Sequence, residues 1–298
     1  MSSFGIGLGS SKKGGRVADS SMLTANIKIV AQGQSDATHA DNQKRQFKLS
    51  SAILNGGAYN SATLAKQNLG VSRAITCLSP FNAFASYVPS QWSINGNASN
   101  TGTDIQIVPN ATNKAGSAYY RTAIDISRPF TIRATVVLGD HSTVPADGFA
   151  IALIDASSSA NATYVGAGAT GVGFISGSPP SWNGIATRIQ TYNNNKADIV
   201  DIAGNLIGSQ PNINAGLIAR FTAPDSFYVT LTYQNGALTW TLANVSNTAT
   251  QTFGPTTIDL VSVIGGSYAF IGASAGSGGS TQKVSLTGLT YEPLSNVC

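Results

Sequence analysis

Glutamate is almost missing from this chain: of its 13 acidic residues, only Glu292 is one. Charged side chains of every kind make up 10% of the 298 residues, against roughly a quarter in ordinary soluble domains. A surface so poor in charge must be wetted by Ser, Thr, Asn, Gln and backbone groups. The shortage of carboxylates also argues against glycoside hydrolysis, which commonly needs two facing carboxyl groups. Thiols are equally scarce. Cys77 and Cys298 make neither a disulfide framework nor a zinc site, and with Cys298 at the end of a tail the two are expected to stay unpaired. Long apolar runs are absent too. The most hydrophobic stretch, 260–276, is interrupted by Ser262, Gly265, Gly266 and Ser267, and it reads as two strands rather than a membrane span. The opening Met1-Ser-Ser-Phe-Gly-Ile-Gly-Leu-Gly has no charged start and no apolar block, so no secretory leader is expected.

What is present points to β structure. Hydrophobic residues reach 42%, enough for a sizeable core, while 32 Gly and 11 Pro suit many tight turns. Charge divides the chain. Residues 1–90 hold nine basic and three acidic groups, whereas residues 91–298 hold eight basic and ten acidic ones. We read 1–90 as a basic arm and anchoring or assembly region, and 91–298 as the main domain. Within the first region, the opening eighteen residues read as a Gly/Ser-rich arm with Lys12, Lys13 and Arg16. Segment 23–30 alternates like a strand, 47–54 fits a strand or short helix, and 62–69 fits a helical turn or two. Pro80, Phe81, Phe84, Tyr87 and Pro89 read as a packed connector.

Beyond Trp92 the period-two pattern is plain at 104–108, 130–138, 149–154, 187–192, 227–233, 237–242, 268–273 and 284–291. The step Asn235-Gly236 between two of these segments supplies the positive φ angles that a tight hairpin needs. Many short strands without interleaved helices imply an all-β, antiparallel jelly-roll sandwich, preceded by the smaller N-terminal region.

Two catalytic signatures match by letter alone. Gly166-Ala-Gly168-Ala-Thr-Gly171 fits a dinucleotide-binding pattern, and Gly272-Ala-Ser274-Ala-Gly276 fits a nucleophile elbow, yet neither precedes a helical pattern. His141, beside Asp140, reads as a solvated loop histidine, and no serine is placed against it. The basic arm carries no interleaved aromatics, so nucleic acid is not an expected partner.

Taken in order, the segments of 92–293 resemble the legume-type (L-type) lectins. Asn97-Ala-Ser, Asp104-Ile-Gln-Ile-Val and Ala115-Gly-Ser-Ala-Tyr-Tyr-Arg look like that family's opening strands, and Arg128-Pro-Phe-Thr-Ile-Arg-Ala-Thr-Val-Val-Leu like its next long one. Pro145-Ala146-Asp147-Gly148-Phe149 is similar to the A-D-G-x-A-F segment, residues 168–174 to the Gly-rich loop, and 185–194 to the metal-loop strand. Tyr268-Ala-Phe-Ile-Gly-Ala-Ser-Ala-Gly resembles the late V-G-F-S-A-x-T-G turn. The resemblance implies a two-sheet jelly roll with a shallow glycan site at one end. The sugar-contacting aspartate then falls on Asp147, the Gly loop on Gly168 to Gly171, the site asparagine on Asn194, and the last specificity loop on 277–281 with Gly278 and Ser280. Tyr192 or Trp182 is the candidate for the aromatic that covers the sugar face. A plain turn before a strand is the competing reading of Asp147-Gly148.

One departure is specific. Where the resemblance puts two metal-ligating acids in a V-E-F-D-T strand, this chain has Arg188 and Gln190, the loop before Asp198 and Asp201 is shortened, and the family's loop histidine is missing. A guanidinium cannot ligate a hard cation. We therefore expect no metal site and no other cofactor, with Arg188 pairing to Asp147 or Asp198 in place of the cation's charge. The resulting expectation is a non-enzymatic bacteriophage virion surface protein that binds a cell-surface glycan for host attachment. It would be a homo-oligomer that meets other virion proteins through residues 1–90. A purely structural capsid, decoration or tail component with a vestigial site is the second reading, and a polysaccharide depolymerase the third.

Overall fold

The computed structural model describes residues 80–192, 195–222, 224–246 and 249–294. The readings at 23–30, 47–54 and 62–69, and the candidate Asn194, lie outside the described residues.

In chain order the strands are β1 (Phe81–Asn82), β2 (Trp92–Gly96), β3 (Ser99–Asn100), β4 (Ile105–Val108), β5 (Ala115–Tyr120), β6 (Ile124–Asp125), β7 (Phe130–His141), β8 (Gly148–Asp155), β9 (Gly184–Gln190) and β10 (Lys196–Asp201). After the helix α1 (Ala215–Phe221) come β11 (Asp225–Gln234), β12 (Ala237–Asn244) and β13 (Thr250–Thr257). The short helix α2 (Leu260–Ile264) then leads into β14 (Tyr268–Gly276) and β15 (Gln282–Pro293). They form two antiparallel sheets: eight strands in the order β13-β12-β11-β7-β15-β4-β3 with β1 on β15, and seven in the order β10-β9-β8-β14-β5-β2 with β6 on β14.

The eight-stranded sheet follows its sequence pattern. In β7, Phe130, Ile132, Ala134, Val136 and Leu138 are buried, while Thr131, Arg133, Thr135 and Val137 point outward with partial or full exposure. The β11–β12 hairpin turns at Asn235 (φ 54°) and Gly236 (φ 71°), the left-handed pair that an Asn-Gly turn supplies. Trp240 stacks on Phe253 at 4.2 Å within the core between the sheets. The aromatic connector closes one end of this core. Phe81 packs on Tyr120 of one sheet (4.8 Å) and Tyr291 of the other (5.6 Å), and Phe84 on Trp92 (5.2 Å).

The seven-stranded sheet is buried on both faces. Every residue of β8 and of β9 is buried. Phe149, Ile151, Leu153, Ile185 and Ile189 enter the main core, whereas Ala150, Ala152, Ile154 and Ala186 join a second cluster with Val172 and Phe174 of the segment that covers the sheet.

Two expectations need correction, and one strand went unread. Segment 260–276 is one strand preceded by a helix: the Asp259 side chain accepts from the Ser262 N–H, and Gly265 (φ 85°) ends the helix in the left-handed region. His141 ends β7 rather than lying in a loop, and its Nε2 is 2.9 Å from the Thr222 carbonyl. Strand β13 escapes a period-two reading because it contains Gly254-Pro255; proline is tolerated there because β13 is an edge strand.

Candidate functional site

The chain leaving β7 enters β8 through a cis peptide between Ala146 and Asp147. Both main-chain polar groups of Asp147 are tied down. Its N–H donates to the Gly276 carbonyl (2.9 Å), and its carbonyl accepts from the Thr191 N–H (3.0 Å). Gly148 then crosses so close to β9 that a Cβ there would lie 1.9 Å from the Ile189 carbonyl oxygen, at φ 134°. Only glycine fits this crossing. The aspartate is therefore fixed at the end of the seven-stranded sheet by its neighbours' backbones.

Two further loops meet it. The loop 277–281 is clamped from both sides. Ser277 donates through its hydroxyl to the Ala111 carbonyl (2.6 Å) and through its N–H to the Lys114 carbonyl (2.8 Å), and the Thr281 N–H donates to Ser142 Oγ (2.9 Å). The Gly loop packs beneath it: the Ala169 N–H donates to the Ser277 carbonyl (3.3 Å), and a Cβ on Gly168 would lie 2.9 Å from the Lys114 carbonyl oxygen. A Cβ on Gly278 would meet Asp147 Oδ2 at 3.0 Å and the Ala169 methyl at 3.3 Å. Asp147, Gly168 and Gly278 thus converge.

One oxygen of the Asp147 carboxylate is an unsatisfied acceptor. The residue is 7% exposed, and Oδ2 is buried with no hydrogen-bond partner. Burial pushes its pKa above the usual carboxylate value of 3.8, partly offset by the Gly278 N–H. The remaining candidates are placed less centrally. Gly171 is buried in the turn of residues 169–171, next to Ala167 and Ile175. Ser280 is half-buried on the 277–281 loop. Tyr192 follows Thr191 directly and is 38% exposed. Trp182 is partly buried in the second cluster, edge-on to Tyr164 at 5.1 Å, and so is not a free platform. A shallow groove of about 290 Å³ over Asp104, Val137, Asp140 and Lys283 includes none of the candidate residues.

Arg188 pairs with Asp198, not with Asp147. Its Nε donates to Asp198 Oδ1 (2.9 Å) and its Nη2 to Oδ2 (2.6 Å), while Nη1 donates to the Thr170 carbonyl (3.0 Å) in the Gly loop. Gln210 also donates to Asp198 Oδ2, and Gln190 lies 3.5 Å from it. Asp201 is occupied in a turn with Ala203 and Asn205. Both oxygens of the one carboxylate in this cluster are thus committed to donors, and a cation would sit against a guanidinium. Among the described residues no three His, Cys, Asp or Glu side chains gather for a metal. The donor set does not fit the paired metals that the resemblance implies.

Register exposes a feature that sequence reading missed. Directly opposed positions run Asp198, Arg188, Ala150, Ser274, Ser117 and Asn95 across five strand pairings. Three members of this row hold carbonyls of the covering segment: Arg188 holds Thr170, Asn95 holds Ala162 (2.9 Å), and Ser117 holds Tyr164 (2.5 Å). Each strand contributes a single residue, so no local pattern announces the row.

The two-sheet antiparallel sandwich, with Asp147 at a strand end met by the Gly loop and the β14–β15 loop, has the arrangement that the resemblance to L-type lectins implies. The family model for legume-like lectins matches residues 71–295, and the chain belongs to the legume-like lectin family. Among solved structures it is similar to lectin I-B4 from Griffonia simplicifolia in its metal-free form, with 17% identity, a TM-score of 0.60, and 72% of this chain and 98% of that one covered. The lectin from Bauhinia forficata in complex with GalNAc gives 16%, 0.58, 72% and 96%. Arcelin-5, a lectin-like defense protein from Phaseolus vulgaris, gives 17%, 0.55, 72% and 96%. At these identities the likeness shows the fold. No curated protein matches the chain.

Proposed function

We propose that the chain is a non-enzymatic saccharide-binding protein whose site is the Asp147 rim. One observation carries the reading: a carboxylate held rigidly by main-chain bonds at the meeting of three loops, with an oxygen that no protein group satisfies. A buried acceptor left unpaired costs stability, and a hydroxyl-rich ligand recovers that cost on binding. Carboxylates accept short, strong hydrogen bonds from sugar hydroxyls, and Tyr192, which follows the Thr191 bonded to the Asp147 carbonyl, is the exposed aromatic assigned to the apolar sugar face. Gly278 borders this acceptor: a Cβ there would lie 3.0 Å from Oδ2.

The test is a glycan array and titration calorimetry on the full chain, with N-acetylgalactosamine as the first monosaccharide probe. Wild type should bind at millimolar affinity or better, and Asp147→Ala should weaken binding at least about 100-fold, the loss of two charged hydrogen bonds. Binding needs the ionised carboxylate, so it should fade as pH falls, with a midpoint above 3.8. A wild-type chain that binds no glycan favours the structural reading, in which the covered Oδ2 marks a site no longer used.

We further propose that this binding serves host attachment from the surface of a bacteriophage particle, as a homo-oligomer anchored through residues 1–90. The sparse charge and the basic excess of the first ninety residues support it. Mass spectrometry of purified particles and light scattering of the isolated protein test the two parts.

A further inference from the structure

The cluster around Asp198 joins four separate pieces of chain: β9 through Arg188 and Gln190, β10 through Asp198, the Gly loop through Thr170, and the segment after β10 through Gln210. That last segment is itself strapped to β10 by the Ala197 N–H to Pro211 carbonyl bond (3.1 Å) and the Ile207 N–H to Ile199 carbonyl bond (2.7 Å). Asp198 is fully enclosed, and the Arg188 side chain is 11% exposed. We infer that Arg188 is a positioning residue that does the task the lectin resemblance gives to bound metal ions. Its guanidinium locks the Gly loop against the sheet, so the site is shaped without a divalent cation. The inference rests on the saccharide-binding reading for its purpose, but not for its geometry.

The chemistry is particular to arginine. Two N–H groups of the fork engage both oxygens of Asp198 side by side, and the third direction reaches the Thr170 carbonyl. Thr170 lies between Ala169, which packs against the Gly278 position above Asp147, and Gly171. From the charge on β10 to the lid over the candidate acceptor, the path is therefore Asp198, Arg188, the Thr170 carbonyl, Ala169 and Gly278. A lysine ammonium is a compact point charge: it can neutralise Asp198 but cannot make all three bonds in these directions. Charge balance and loop placement are thus separable by substitution.

The experiment uses the full chain, wild type, Arg188→Ala and Arg188→Lys, in EDTA and in calcium plus manganese chloride. Three quantities are read: Tm, the Kd for N-acetylgalactosamine, and amide hydrogen exchange at residues 171–175. Those amides are protected by bonds such as Val172 N–H to the Ala169 carbonyl (2.9 Å) and Ile175 N–H to the Gly171 carbonyl (3.0 Å). The expected wild type shows the same Tm and Kd in both media. Arg188→Ala, which leaves Asp198 buried without its cation, should lower Tm by about 10 °C. It should also speed exchange at 171–175 at least about 10-fold while the β11–β12 hairpin stays protected. Arg188→Lys should recover much of the Tm but neither the slow exchange nor the affinity, which stays at least about 10-fold weaker. A wild-type Tm that falls in EDTA and returns with calcium overturns the inference. So does an Arg188→Lys protein that matches wild type in exchange and Kd, since charge alone would then suffice. A uniform rise in exchange for Arg188→Ala overturns it as well. If wild type binds no saccharide, the proposed function fails, and the EDTA and exchange results still decide the role of Arg188.

Discussion

In β7 every second side chain faces outward, whereas in β8 all eight residues are buried. The eight-stranded sheet is an ordinary half-solvated surface. Threonines and an Arg133–Tyr228 contact at 5.5 Å meet the water, and apolar residues meet the core. The seven-stranded sheet carries a second cover of chain, so its outer face must be small or internally satisfied. Alanines and glycines provide the first, and Asn95, Ser117 and the Arg188–Asp198 pair the second. The candidate site sits on the covered sheet, where the 277–281 loop and the Gly loop meet the start of β8.

Two buried aspartates, one on each sheet, are treated differently. Asp225, which opens β11, is buried, which by itself raises a carboxyl pKa. Donors from Ser246, Asn244, the Ser226 N–H and Arg220 outweigh that and bring it down to about 2. Asp147 has no such set, and its pKa rises. A carboxylate meant to hold structure is saturated by the protein. The open acceptor of Asp147 is the one on which the proposed saccharide site rests.

The difference between the sheets can be broken at several points. The largest effect belongs to Gly148→Ala, whose Cβ would fall 1.9 Å from the Ile189 carbonyl oxygen. It should leave little folded protein by circular dichroism, a loss above about 4 kcal/mol. Gly236→Ala in the hairpin, where nothing lies within 4 Å of a Cβ, should cost only about 1 kcal/mol for its left-handed φ. Next comes the acid response of Asp225. Its folded-state pKa is depressed, so its stabilisation is complete above about pH 4 and disappears as pH falls through about 2. Denaturant titrations of wild type should lose stability over that window, and Asp225→Asn should flatten the loss. The smallest effect is expected for Thr252→Ala on the exposed face, where a Thr241–Thr252 hydroxyl contact of 3.0 Å is removed. The change should stay within about 0.5 kcal/mol.

Period two in the sequence located eight of the main strands, because the pleat alternates polar with apolar residues in the half-buried sheet and small with large apolar ones in a strand such as β8. Strands β2, β10 and β13 carry shorter or mixed patterns and were legible only by their partners. Asp147, Gly168 and Gly278 could be nominated from the order of motifs, but their convergence could not. It depends on loops more than a hundred residues apart meeting at one strand end.

Composition and alternation by themselves determined that this protein is an all-β sandwich, since burial of one face is a local demand that each strand states on its own. Which ten-residue-distant partner Arg188 takes, and which carbonyl its third N–H finds, was decided only by tertiary structure. Strand register sets side chains from six strands opposite one another, and register is a property of pairs that no single strand encodes.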